Sequence, residues 1–162
     1  MLAIAFLLHY NIPMDQHEIY MRLALSEARR AFDNDEVPVG AVIVFNGEVI
    51  GRAHNQIRTL KDPTAHAEMI AITQAAASLR NERLNGCRLY VTIEPCSMCA
   101  GACVLARLEG VFYGASDPKT GACGSAVDLA APGLFNHDIA VTGGILEAEC
   151  RTIIQEFFLA KR

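Results

Sequence analysis

Two short segments constrain this chain more than any other feature: His66-Ala67-Glu68, and Pro95-Cys96-Ser97-Met98-Cys99. Cysteines three positions apart on a helix point to nearly the same side, so Cys96 and Cys99 can reach a single metal ion. In a first helical turn, free backbone N–H groups and the positive end of the helix dipole favour thiolate over thiol. His66 and Glu68 are two positions apart, which on a regular helix sets them ~200° apart around the axis. Both face one site only if His66 stands before the helix is established. Asp62-Pro63-Thr64, just ahead of it, carries helix-start signals.

The remaining pattern alternates helices and strands. Asp15 to Phe32 places Ile19, Leu23, Ala24 and Ala28 at helical spacing. Val39 to Phe45 and Glu48 to Gly51 are apolar runs joined by Asn46-Gly47, a pair suited to a type I′ turn, which predicts a β-hairpin. From Asp62 the pattern is helical through about Leu79, with Asp62 or Thr64 as the cap. Arg88 to Ile93 reads as a buried strand, Cys96 to about Arg107 as a helix opened by Pro95, and Gly110 to Ala115 as a strand. A glycine-rich loop over 116–125 precedes a short helix near Val127 to Ala130, a strand at Asp138 to Val141 and a helix from Glu147 onward. This order predicts an α/β layered domain whose sheet is mixed because it begins with a hairpin.

No repeat or linker divides the sequence, so one domain is expected over 14–162. Residues 1–13 form an apolar extension without a targeting signature; the expectation is that translation starts at Met14 or that the extension is poorly ordered and dispensable. The apolar stretch from Met1 to Leu8 is far short of the ~20 residues of a membrane-spanning helix. Hydrophobic residues make up 52% and charged residues 20%, a globular balance. Lys plus Arg number 14 against 18 Asp plus Glu, a net charge of −4, which argues against general electrostatic binding of nucleic acid. A nucleic-acid partner stays compatible with that charge if Arg58, Lys61, Lys119, Arg151, Lys161 and Arg162 gather on one face. Six cysteines without a secretory signal fit a reducing cytoplasm, where metal binding or catalysis outweighs disulfide formation.

Three protein ligands, His66, Cys96 and Cys99, leave the fourth tetrahedral position of Zn²⁺ open for water, the catalytic pattern. Glu68 is placed to exchange protons with that water. Other chemistries stay open on these residues. Pro-Cys-x-x-Cys after a strand also suits a redox dithiol, and Cys96, Cys99 and Cys103 could serve an iron–sulfur cluster. A structural zinc site would recruit a fourth ligand from Cys87, Cys123 or Cys150, making the chain a binding module rather than an enzyme.

The pair H-x-E…P-C-x-x-C resembles the signature of the zinc-dependent nucleobase deaminases, the cytidine/deoxycytidylate deaminase superfamily. Within it the chain is similar to the tRNA-specific adenosine deaminases from about Tyr20 to Phe158. The resemblance is carried by Glu36-Val37-Pro38-Val39-Gly40-Ala41-Val42, Asp62 to Glu68, Glu94-Pro95-Cys96, Met98 to Ala102, and Asp117 with Lys119-Thr120-Gly121-Ala122. It implies a three-layer, cytidine-deaminase-like α/β fold with a mixed five-stranded sheet flanked by helices. It also implies hydrolytic deamination of adenosine to inosine at the wobble position of a tRNA anticodon, water activated on the metal attacking C6. One Zn²⁺ per subunit, a cytoplasmic homodimer and an anticodon stem-loop substrate go with that reading.

By the same resemblance His66, Cys96 and Cys99 match the zinc ligands and Glu68 the proton shuttle. Asn55 matches a residue that hydrogen-bonds the flipped base, and Asp117 falls in the loop beside the anticodon nucleotides. Of the adjacent pair Phe157 and Phe158, one is expected in the core, and Phe158 is taken as the outward one near RNA. Cys103 and Cys123 are expected to be small buried fillers. The rival activity is deamination of a free base, guanine or cytosine, against which the Asp117 to Ala122 loop argues. Lys161-Arg162 ends the sequence without a longer basic tail, which limits the phosphate contacts expected.

Overall fold

The computed structural model describes residues 13–162; the extension expected over 1–13 lies outside the described residues, save Pro13. The elements run α1 (Met14–Asp33), β1 (Gly40–Phe45), β2 (Glu48–His54), α2 (Ile57–Leu60), α3 (Ala67–Leu79), β3 (Arg88–Ile93), α4 (Ser97–Leu105), β4 (Gly110–Ala115), β5 (Ala140–Thr142) and α5 (Glu147–Leu159). The five strands form one sheet in the order β2-β1-β3-β4-β5. β1 is antiparallel to both neighbours, while β3, β4 and β5 run parallel. The sheet is therefore mixed, and its antiparallel half is the predicted hairpin. Asn46 and Gly47 both take positive φ, 49° and 80°, as a type I′ turn demands.

Strand residues alternate between two cores. Ala41, Ile43, Leu89, Val91 and Val111 pack on one face with Ala67, Ala71 and Ala75 of α3 and with Cys103 and Val104 of α4. Val42, Val44, Tyr90 and Phe112 pack on the other with Tyr20, Met21 and Ala24 of α1 and Cys150 of α5. Both faces are covered, which is why these strands read as unbroken apolar runs rather than as alternation. Each fully buried Ile43, Leu89 or Val91 contributes ~1.5–3 kcal/mol of burial. Small residues let α3 lie close on the hairpin: a Cβ on Gly51 would stand 2.5 Å from the carbonyl oxygen of Ala71.

Buried Glu27 of α1 ties that helix to β2, accepting hydrogen bonds from Arg52 Nε and, at 3.1 Å, from His54 Nδ1. Burial pushes the Glu27 carboxyl up, but Arg52 and His54 outweigh it and the net displacement is downward.

Several local expectations need correction. Asp62 and Thr64 do not cap α3: Asp62 Oδ1 accepts the N–H and hydroxyl of Thr64, at 2.8 and 2.7 Å, in a turn that closes before the helix starts. Residues 127–130 form turns rather than a helix, because Asp128 bridges to Cys123 and its carboxylate takes the N–H of Ala130. The last strand covers Ala140–Thr142, two residues later at its start than read from sequence, and the short helix α2 had no periodic signal to announce it.

Candidate active site

His66 is the N-cap residue of α3, with extended backbone (φ −74°, ψ 151°), and Cys96 is the N-cap of α4 (φ −71°, ψ 176°). The geometry demanded by the His66–Glu68 spacing is thus met: the histidine precedes the helix and the glutamate lies within its first turn. Both helices begin beyond the carboxyl end of the β3–β4 pair, where open α/β sheets place ligands. Cys99, one turn into α4, completes the cluster.

The His66 Nδ1 atom lies 3.7 Å from Cys96 Sγ and 3.6 Å from Cys99 Sγ. Tetrahedral zinc with ordinary Zn–N and Zn–S lengths sets such atoms ~3.5 Å apart, so the donors are spaced for one ion. Among the described residues, these three make up the group of ligand atoms close enough to share a metal. Cys87, Cys103, Cys123 and Cys150 are buried, free and outside it. The donor count is that of an open catalytic centre.

Charges at the cluster follow its chemistry. Hydrogen bonding to Cys99 and His66 holds the Cys96 thiol down to about 3. Cys99 moves up, because the Cys96 sulfur beside it stabilises its proton and burial disfavours a second anion. His66 is raised by its contact with Cys96. Glu68 is 2% exposed, burial pushes its carboxyl up, and its Oε2 has no hydrogen-bond partner among the described residues. Buried oxygens without a partner are rare in folded proteins, and Glu68 also lines the pocket that opens over the cluster.

A pocket of about 220 Å³, on the scale of a single base, opens over the cluster. Asn55 and Asp117 both line it, with Val37, Ile57 and Thr120. Asn55 is buried, and its Oδ1 accepts the N–H of Ala67 at 2.9 Å; the side-chain amide keeps two N–H donors for the pocket. Asp117 holds its own turn: Oδ1 accepts the N–H groups of Lys119 and Thr120, and Oδ2 the hydroxyl of Thr120 at 2.6 Å. Phe158 does not reach this pocket; it is 50% exposed on α5, edge-on to Phe157, which is 6% exposed and packs inward.

Two buried carboxylates beside the pocket were given no role of their own by the sequence reading. Glu36 accepts the N–H groups of Arg58 and Thr59, at 3.2 and 2.7 Å, and so fixes α2 next to the wall formed by Val37 and Ile57. Glu94 accepts four donors from the 117–125 loop. Their signal is an acidic residue beside apolar ones, in Glu36-Val37-Pro38-Val39 and Ile93-Glu94-Pro95.

The family profile described as MafB19-like deaminase matches residues 15–162. A curated relative from Bacillus subtilis (strain 168), the tRNA-specific adenosine deaminase, is 50% identical over 145 residues, covering 90% of each chain. The chain belongs to the tRNA-specific adenosine deaminase family. A solved structure from a study of A-to-I editing by tRNA:A34 deaminases superposes with a TM-score of 0.80 at 48% identity, covering 83% of this chain and 97% of that one. A guanine deaminase structure from Bacillus subtilis reaches a TM-score of 0.59 at 41% identity, over 62% of this chain and 64% of its own. The likeness to the tRNA-specific adenosine deaminase family thus runs through nearly the whole fold. Among the described residues no helix is long and apolar enough to cross a membrane.

Proposed function

We propose that this chain deaminates adenosine to inosine at the wobble position of a tRNA anticodon, as a zinc-dependent hydrolase. The observation that carries the reading is the unpartnered buried oxygen of Glu68 in a base-sized pocket beside three metal-ligand atoms. Family membership supplies the substrate class.

His66, Cys96 and Cys99 would hold the ion. Zinc bound there supplies Lewis acidity and lowers the pKa of a water. Glu68 accepts a proton from the attacking water and passes it to ring N1 as the C6–O bond forms, then takes the remaining proton from the new C6 hydroxyl and gives it to the amine as the C6–N bond breaks. Ammonia leaves and inosine remains. Asn55 donates a hydrogen bond to the flipped base, and the Asp117–Thr120 turn forms the wall beside neighbouring nucleotides. An anticodon loop suits this chemistry because its bases are already unpaired, so extrusion costs little. One zinc per subunit, a homodimer and a cytoplasmic setting complete the proposal, supported by the family and by a cysteine content suited to a reducing compartment.

The test is inosine formation in an anticodon stem-loop, measured beside free adenine, guanine and cytosine at equal concentration. Turnover is expected on the stem-loop and not on the free bases. Faster reaction with a free base would make this a salvage deaminase.

A further inference from the structure

We propose that Glu94 is a positioning residue for the substrate: it clamps the 117–125 loop against the start of α4, and so sets affinity for the anticodon loop rather than the rate of bond breaking. This rests on the functional reading above. Glu94 follows β3 directly, is 2% exposed, and precedes Pro95 and the metal-ligand Cys96. Its Oε2 accepts the N–H of Asp117 at 3.0 Å and the hydroxyl of Ser125. Its Oε1 accepts the N–H groups of Cys123 and Ser125, at 3.0 and 3.1 Å.

One carboxylate therefore takes donors from both ends of a loop that has no helix or strand of its own. The loop is also stitched to the backbone ahead of α4, through the Ala122 N–H on the Pro95 carbonyl at 2.8 Å and a bridge between Cys96 and Gly121. Contact there is tight enough to require glycine: a Cβ on Gly121 would lie 2.4 Å from the Glu94 carboxyl carbon and 2.5 Å from the Asp117 carbonyl oxygen. The same loop presents Asp117 and Thr120 to the pocket. Glu94 borders the pocket too, but each of its oxygens already has two donors, so proton transfer falls to Glu68, whose Oε2 has none.

Glu94→Gln isolates the effect. Its amide oxygen can keep the Cys123 and Ser125 N–H groups, and the Ser125 hydroxyl can turn to accept from the new NH₂. Only the Asp117 N–H then faces a donor. We expect KM for the stem-loop to rise roughly five- to thirtyfold, with kcat changed less than roughly threefold. Bound zinc should stay at the parent level, and amide hydrogen exchange at 117–125 should accelerate. A merely structural role would lower the active fraction, and with it kcat, while leaving KM alone. Unchanged KM, a fall in kcat without a rise in KM, or loss of zinc would overturn the proposal. Ser125→Ala, at an exposed position, carries the same test if E94Q does not fold, with a smaller KM rise expected and an unchanged KM again decisive against it. Hydrogen exchange of the loop separates the two readings: unaltered protection in the variants sinks the clamp, whereas a parent enzyme inert on the stem-loop sinks the substrate assignment.

Discussion

Asn55 Oδ1 accepts the N–H of Ala67 at 2.9 Å, so a residue that lines the base pocket also holds the first turn of the helix bearing Glu68. Under the proposed function its two ends serve separate tasks, the oxygen for the helix and the NH₂ for the base. Asn55→Asp keeps the acceptor and removes the donors. It should leave thermal stability close to the parent and lower stem-loop turnover by roughly 5- to 150-fold. Asn55→Ala should lose both, with an added destabilisation of ~0.5–2 kcal/mol. Melting curves and kinetics on the two variants check the division; equal stability loss in both would refute it.

Glu68 and the proposed metal ligands should separate just as cleanly. Glu68→Gln keeps the volume of a buried side chain whose Oε2 has no partner among the described residues. It should retain zinc and melt no lower than the parent while turnover falls roughly 10²–10⁴-fold. Cys96→Ala should lose zinc and stability together, because metal binding is coupled to folding, and Cys87→Ala should keep its metal. Metal analysis beside melting curves decides this. A turnover loss below tenfold in E68Q with zinc intact would assign the proton transfers to another group.

Glu27 gives the fold a predictable acid sensitivity. Burial raises its carboxyl, the hydrogen bonds from Arg52 and His54 lower it, and the net folded value lies below the ordinary 4.5. A depressed acid contributes stability that is full above its unfolded pKa and is lost as pH falls through its folded pKa. Glu27→Gln should therefore be destabilised at pH 6–7, and its gap from the parent should close as pH falls below 4.5. Denaturant unfolding of both proteins across that range measures the gap; a gap that widens in acid would show that Glu27 is not held as the anion.

What the sequence made legible follows from which physics is local. β3 and β4 were readable to the residue because both faces are buried and their apolar runs are unbroken. His66 was placed correctly outside its helix because only that position reconciles a two-residue spacing with one shared site. Asp62 and Thr64 were misread because an Asx turn and a helix cap use the same oxygen on nearby N–H groups, and only the backbone decides between them. Glu36 and Glu94 were invisible as organisers for a different reason. A sequence shows a carboxylate, but not that amides more than twenty residues away close on it.

The cations offered to RNA are partly spent within the protein. Arg58 and Lys161 both bind the carboxylate of Asp35, and Arg58 also reaches its carbonyl oxygen at 3.1 Å. Arg58 sits one residue beyond Ile57, which lines the pocket, so these charges stand beside the proposed path of the anticodon loop. With one of these two charges offset by Asp35 and a net charge of −4, the salt dependence of stem-loop binding should be shallow, a log–log slope of only a few units. Asp35 has φ of 61°, a conformation that asparagine tolerates, so Asp35→Asn can release the two cations without straining the turn. That variant should bind the stem-loop more tightly at low salt and steepen the slope by ~0.7, since one unit of positive charge is freed for a phosphate on single-stranded RNA. Titration of the stem-loop at several salt concentrations reads both numbers. A slope identical to the parent's would place Arg58 and Lys161 away from the RNA.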